Sequence, residues 1–438
     1  MNMNETQIHI NNIPIWALLP FILMLGSIAV MPIAANWYWE KNLNKLFIAL
    51  VLGIPTALWL ILTGLSQELT HTMIFDYIPF IILLGSLFVI TGGIYVDGDI
   101  EAKPSNNSVI IGIGAVLASF MGTTGAAMLL IRPLMKTIHL RKYKVHSILF
   151  FIAIVANCGG LLTPLGDPPL FMMYLRGADF FWFFNLFPEW FLTNGLLLII
   201  YYFVDSYYWK KEDPAVKIRE KTEQKPIKLL GKVNFIFLIG VVLSVAFLNP
   251  GFISWIVPFT FTSYTREVVI ITMAVLSLIL TKKQVRYYNR FNWGPIEEVA
   301  YLFLGIFITM VPCLIYLENN ASTLGIISPV QFYYSSGSLS SFLDNTPTAV
   351  TFHSLAKGLV ILGEKGLVAG INESILYAIS LGSVFFGAMT YIGNGPNFMV
   401  KAIAEHNHIK MPHFFEYMYK FSLIVLLPIY ILIQLIFM

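Results

Sequence analysis

Charge is what this 438-residue chain has least of: Asp, Glu, Lys and Arg together make up 12% of it, about half of what a soluble domain carries. That scarcity excludes a water-facing surface over most of the molecule. The formal net charge of +3 is too small for a nucleic-acid footprint. Cysteine is nearly missing. Cys158 and Cys313 both lie inside apolar segments, so neither a disulfide framework nor thiolate metal spacing is available. There is no His-Glu-x-x-His, no Gly-x-Ser-x-Gly and no Lys-bearing phosphate loop, so neither an enzyme nor a cofactor is expected. The ten-residue alternation of an outer-membrane barrel is lacking too. No Lys or Arg precedes the first apolar run and no A-x-A site follows it, so that run reads as a retained helix rather than a secretory signal.

What the chain has instead is apolar runs, at residues 13–33, 46–65, 74–94, 181–204, 268–280, 296–317 and 421–437. A run of about 20 apolar residues matches the hydrocarbon thickness of a bilayer. The expected fold class is an all-α polytopic membrane protein. Five basic residues lie between Arg132 and Lys144, eight between Lys210 and Lys232, and four between Lys282 and Arg290. With these loops in the cytoplasm the N-terminus is outside, and only Arg176, Arg266, Lys357 and Lys365 of the 27 basic residues fall outside. The expected location is therefore the inner (cytoplasmic) membrane, crossed many times.

The walk closes only if residues 109–135 enter and leave on the cytoplasmic side and residues 331–356 do so on the outside. Both segments are interrupted, at Met121-Gly122-Thr123-Thr124-Gly125 and at Asp344-Asn345-Thr346-Pro347. They read as two re-entrant hairpins beside about ten transmembrane helices. The predicted organisation is a first half at 1–205, a solvated cytoplasmic linker at 206–232 and a second half at 233–438. The halves resemble each other. Ser119-Phe120-Met121-Gly122-Thr123-Thr124 matches Ser341-Phe342-Leu343-Asp344-Asn345-Thr346, and Gly166-Asp167-Pro168-Pro169-Leu170-Phe171-Met172 matches Gly393-Asn394-Gly395-Pro396-Asn397-Phe398-Met399. Because the hairpins enter from opposite sides, this is an inverted-topology repeat, an architecture common among secondary transporters.

Four breaks follow, at 122–125, 157–169, 344–347 and 393–396, each mixing Gly or Pro with Asn, Asp or Thr. Broken helices survive in lipid only inside protein or around a cavity. Glycine lets backbone approach an ion closely, and proline leaves a carbonyl without its amide partner. Side-chain oxygens complete a hard ligand set suited to Na+. Asp344 is the sharpest candidate, because a carboxylate at membrane depth is costly unless it is paired. One such carboxylate holds a proton or a sodium ion in competition, which exchange requires. The alternative is an N-cap for the helix that follows. Asp167, the counterpart of Asn394, is open to the same two readings, with Pro168 as a good first helical residue. Asn157, Thr163, Asn345, Thr346, Thr390 and Asn394 are candidate oxygen ligands. Thr123 and Thr124 are their equivalents at the first hairpin tip. Beyond transported Na+, no metal is expected, and His406, His408 and His413 read as a solvated loop. His353 reads as a packed or relay histidine, and Glu297 and Glu298 as first-turn residues.

The strings Ala156-Asn157-Cys158-Gly159-Gly160-Leu161-Leu162-Thr163-Pro164-Leu165-Gly166-Asp167-Pro168-Pro169, Asp344-Asn345-Thr346-Pro347 and Thr390-Tyr391-Ile392-Gly393-Asn394-Gly395-Pro396-Asn397-Phe398 resemble the ion transporter superfamily. That group includes the D-type sodium/proton antiporters, the arsenite permeases, and the citrate and dicarboxylate transporters. The resemblance covers most of the chain and is strongest to bacterial sequences described as sodium/proton antiporters or citrate transporters. It implies a homodimer, each protomer having a scaffold and a transport domain that shifts like an elevator. The D-type antiporters have a similar Asp-Asn-Thr-Pro string, which implies cation binding at Asp344, Asn345 and Thr346. The dicarboxylate carriers use paired Ser-Asn-Thr motifs, and this chain has none at its breaks. The expectation is exchange of Na+ or Li+ for H+, with membrane lipid as surroundings and no nucleic-acid partner. The alternative is Na+- or H+-coupled uptake of citrate or a dicarboxylate.

Overall fold

The computed structural model describes residues 13–222, 225–248, 264–361 and 363–438. Among them, eight helical stretches are long and apolar enough to cross a bilayer: Ile15–Pro32, Asn42–Leu62, Ser66–Thr91, Pro104–Met121, Val145–Leu162, Phe180–Lys210, Gly294–Thr323 and Phe414–Phe437. Val233–Phe247 and Glu373–Met389 are shorter apolar helices. The chain is thus a mostly helical, multi-pass membrane protein. Leu62, Ile279 and Leu435 are at least 70% exposed, and rows of exposed Leu, Ile, Val and Phe flank them. So much outward apolar surface is foreign to a soluble monomer and fits a lipid-facing wall. Burial then separates rim from centre: 22% of the first span is buried, against 83% of Val145–Leu162.

Proline marks where helices begin. We label α1 (Leu19–Ala34), α2 (Asn42–Leu62), α3 (Ile78–Thr91), β1 (Tyr95–Asp99), α4 (Pro104–Met121), α5 (Thr123–Thr137), α6 (Val145–Ile154), α7 (Pro168–Leu175) and α8 (Phe187–Lys210) in the first part of the chain. After them come α9 (Pro214–Thr222), β2 (Lys225–Leu230), α10 (Val233–Phe247), α11 (Thr265–Leu280), α12 (Gly294–Asn320), α13 (Pro329–Ser340) and α14 (Asn345–Lys357). The last are α15 (Glu373–Phe386), α16 (Gly395–His406) and α17 (Leu427–Phe437). Pro is at the first or second position of α1, α3, α4, α7, α8, α12, α13, α16 and α17. Its missing amide costs nothing there and its fixed φ favours the first turn.

Outside the helix breaks, two sets of polar contacts join distant segments. One joins the basic loops: Lys136 to Asp97 at 3.0 Å, Arg132 to Asn289 Oδ1 at 2.9 Å and Lys45 to Glu298 at 2.7 Å. The other joins Arg176 to Asp76 at 3.3 Å, Lys357 to Glu318 at 3.0 Å and Trp182 Nε1 to Glu373 at 2.8 Å. The start of α4 and the end of α5 both belong to the first set, through Asn107 and Lys136.

Residues 206–232, expected as a solvated linker, are mostly exposed, yet most of those described belong to α8, α9 and β2 rather than to an open loop. β2 pairs antiparallel with β1, Tyr95 opposite Leu230 and Asp97 opposite Lys228. On α9, Glu220 is buried and accepts the Ala102 amide at 3.2 Å. Glu212 accepts the amides of Lys142 at 3.1 Å and Tyr143 at 3.0 Å. Orphan amides recruit these carboxylates, and solvated charge becomes packing. Beneath them Asp205, fully buried, binds Arg141 Nη2 at 2.6 Å, His146 Nε2 at 2.7 Å and Asn107 Nδ2 at 3.0 Å. This cluster ties α4, α6 and α8 together.

Removing one partner of a buried ion pair leaves the other charge uncompensated. Asp205→Ala, which strands Arg141, is expected to lower stability by about 3–5 kcal/mol. The apparent Tm of the detergent-solubilised protein reads this, with exposed Glu405→Ala unchanged as the control.

Candidate functional site

Each break in the helices is held open by a specific local device. α4 and α5 meet at Gly122, whose φ of 79° and ψ of 149° suit glycine almost alone. The amide of Thr123, first residue of α5, donates to Gly166 O at 2.8 Å. Downstream, the short 3-10 turn Cys158–Leu162 leads through extended residues into α7. In the second half the 3-10 turn Gly387–Met389 leads likewise into α16. The two connections share their geometry. Thr163 has φ −144° and ψ 160°, Thr390 −140° and 168°. Asp167 has −140° and 140°, Asn394 −144° and 138°. Thr163 Oγ1 donates to Ser119 O, and Thr390 Oγ1 donates to Ser341 O. Each hydroxyl also accepts the amide two residues on. Glycine permits the crossing: a Cβ on Gly166 would lie 2.0 Å from Gly160 O, and one on Gly393 2.7 Å from Gly387 O.

These devices converge on Asp167, which is fully buried. Its Oδ1 accepts from Thr123 Oγ1 at 3.0 Å and Asn394 Nδ2 at 3.3 Å, and its Oδ2 from Asn345 Nδ2 at 2.9 Å. The donors come from the first residues of α5 and α14 and the cap of α16, while Asp167 itself precedes α7. Four helix N-termini therefore meet at one carboxylate, with their dipoles favouring negative charge. All three side-chain donors are neutral, and among the described residues no Lys or Arg pairs with Asp167. A second layer orients the donors. Ser340 Oγ is 2.6 Å from Asn345 Oδ1, which turns the amide nitrogen toward Asp167. Asn394 Nδ2 also reaches Asn157 Oδ1 at 3.2 Å, and Asn157 Nδ2 donates to Asn397 Oδ1 at 2.6 Å. Asn397 Nδ2 closes the network on Gly387 O at 2.8 Å and Thr390 O at 2.9 Å.

Asp344, the sharpest residue of the sequence, is not at this centre. It is half-buried, and its Oδ1 accepts the Thr346 amide at 3.0 Å, the N-cap geometry of α14. Thr346 Oγ1 beside it is buried with no hydrogen-bond partner among the described residues. Thr163 and Thr390 brace backbone rather than face Asp167, and Thr124 is half-buried next to Thr123. Sequence reasoning missed Ser340 and Asn397 as network members. Asn397 was readable, standing three residues after Asn394 in a quoted string; Ser340 had no signal. His353 packs with Nε2 2.8 Å from Ala369 O, and Cys158 Sγ lies 3.4 Å from Tyr430 OH. Among the described residues no three His, Cys, Asp or Glu side chains come together as a metal site.

Over residues 10–438 the chain matches the family model described as "Putative citrate transport", and it belongs to that family. No curated protein matches the chain.

The glycine crossing gives a direct test. Gly166→Ala puts a methyl against a carbonyl with no room to relax, so properly inserted protein is expected to fall below detection by fluorescence-detected gel filtration. Gly195→Ala, whose Cβ meets nothing within 4 Å, is expected to elute as the wild type does.

Proposed function

We propose that this protein is a secondary active transporter that exchanges Na+ (or Li+) for H+, with Asp167 as the carboxylate the two ions share. One observation carries the reading: a fully buried carboxylate is held by three neutral donors and, among the described residues, by no cationic side chain. A charge so placed needs neutralising from outside the chain, by a proton or a monovalent cation. Two ions that cannot bind together exchange. Asn345, Asn394, Asn157 and Thr123 offer the amide and hydroxyl oxygens that a dehydrated Na+ requires once the donors turn. Asp344 and Thr346, one residue away on α14, are the second carboxylate and hydroxyl near the path.

Alternating access is proposed to use an inverted-topology repeat, in which α4–α5 and α13–α14 are re-entrant hairpins from opposite sides. The twin Thr163 and Thr390 geometries support it. So do the two sets of polar contacts, since α5 ends at Lys136 beside Asp97 while α14 ends at Lys357 beside Glu318. The hairpin tips would reach Asp167 together. The inner-membrane location, the outside N-terminus and a homodimer complete the proposal.

A second reading, cation-coupled uptake of citrate or a related dicarboxylate, is favoured by the description of the family. The four helix N-termini suit an anion as well. Against it, a substrate carboxylate there would face the charge of Asp167 with no Arg or Lys to offset it.

Proteoliposomes with an internal pH-sensitive dye and an imposed proton gradient separate the two. Na+ or Li+ alone is expected to collapse the gradient, and Asp167→Asn to abolish the response while still inserting. Uptake of labelled citrate driven by Na+ or H+, with no response to cations alone, would select the second reading. Cysteine labelling tests the topology: Asn106→Cys and Lys142→Cys are expected to react from the cytoplasm and Asn320→Cys from outside, and any other pattern removes the inverted repeat.

A further inference from the structure

Another buried carboxylate lies on α8, apart from Asp205 and from the network around Asp167. Glu189, in the first turn of that helix, is 1% exposed, and its Oε2 has no hydrogen-bond partner among the described residues. The same holds for Thr193 Oγ1 and Asn194 Oδ1, one turn further on and equally buried. A spacing of i, i+4 stacks Thr193 on Glu189. The adjoining stripe of α8 packs on the Cys158–Leu162 turn, where Trp190 Nε1 donates to Gly159 O at 3.0 Å and Asn194 Nδ2 to Cys158 O at 3.3 Å. With its nitrogen fixed there, the Asn194 amide turns its oxygen elsewhere. Native structures rarely orphan buried oxygens, and here three lie between Glu189 and Asn194 of one helix, one of them from a carboxylate.

The second half of the chain supplies the comparison. Glu416 stands at the same sequence offset from Glu189 as Asn394 from Asp167 and Gly387 from Gly160. Tyr417 follows it as Trp190 follows Glu189, and donates to Ala388 O at 2.7 Å, again into the 3-10 turn of its own half. Glu416, partly exposed at the surface rather than buried, pairs with Lys420 four residues on at 2.6 Å. At that place the first half has Thr193.

We infer that Glu189, Thr193 and Asn194 form a binding site for a monovalent alkali cation, which does for Glu189 what the Lys420 ammonium does for Glu416. The donor set fits that charge. One carboxylate and two neutral oxygens balance a single positive charge, whereas a divalent ion would leave net charge in apolar surroundings. All three ligands are oxygens, which hard cations prefer over softer metals. None of the side chains bonded to Asp167 belongs to the site, so it stands whether or not Asp167 exchanges ions.

The test uses full-length Asp167→Asn protein in detergent, so that the central carboxylate does not respond. Its thermal unfolding is followed while NaCl, KCl or LiCl replaces choline chloride at constant ionic strength. A saturable rise in Tm with at least one alkali cation is expected. Adding Glu189→Gln should abolish that rise. Adding Thr193→Val, which keeps the carboxylate, should raise the half-saturating concentration by about tenfold, the worth of one lost ligand at 1.4 kcal/mol. No saturable response in Asp167→Asn overturns the site, as does a response that both further substitutions leave unchanged. Should Glu189→Gln not fold, the Thr193→Val titration decides alone.

Discussion

A carboxylate buried deep in a helical membrane protein, without a basic partner, sets the terms for the rest of this structure. Asp167 can remain there only if enough oriented dipoles reach it, and an unbroken helix offers none along its side. The chain therefore breaks four helices and aims their starts at one point. Each break frees backbone groups that must be satisfied in turn. Thr163 and Thr390 do this in the same way, each bracing the carbonyl of a matched serine and accepting an amide two residues on. The polar centre and the broken backbone are one problem with one solution.

Packing follows from that solution. Segments that cross at the breaks approach to carbonyl-contact distance, which is why Gly166 and Gly393 have no room for a side chain, while Gly160 and Gly387 are pressed by the side chains of Thr123 and Asn345. Around the crossing, the Val145–Leu162 span is nearly enclosed, while α1 and α2 remain lipid-facing. Polar side chains also gather in the buried Arg141–Asp205–His146 cluster. Asp167 is bonded to residues of α5, α14 and the α16 cap, so a change in its charge acts on three segments at once. On the proposed exchange, that would tie ion occupancy to the position of the broken helices.

Much of this was legible in the sequence. Apolar runs located most of the spans, because a bilayer demands a simple pattern of length and hydropathy. The breaks were readable from Gly, Pro, Asn and Asp strings. What could not be read was rank. Asp344 and Asp167 both precede helices in sequence, and only the fold decides that one caps a helix while the other gathers donors from distant segments. The same limit hid Ser340, whose role depends on the orientation of Asn345. It also hid Glu212 and Glu220, whose charges in a basic stretch suggest solvent until their amide partners are known.

The central claim is that a cation and a proton compete for Asp167. The most direct measurement adds Na+ to the detergent-solubilised protein in weakly buffered solution and follows pH. Competition predicts a saturable release of protons as Na+ binds, largely lost in Asp167→Asn. Na+ addition that releases no protons, or releases as many from Asp167→Asn as from the wild type, would contradict the claim.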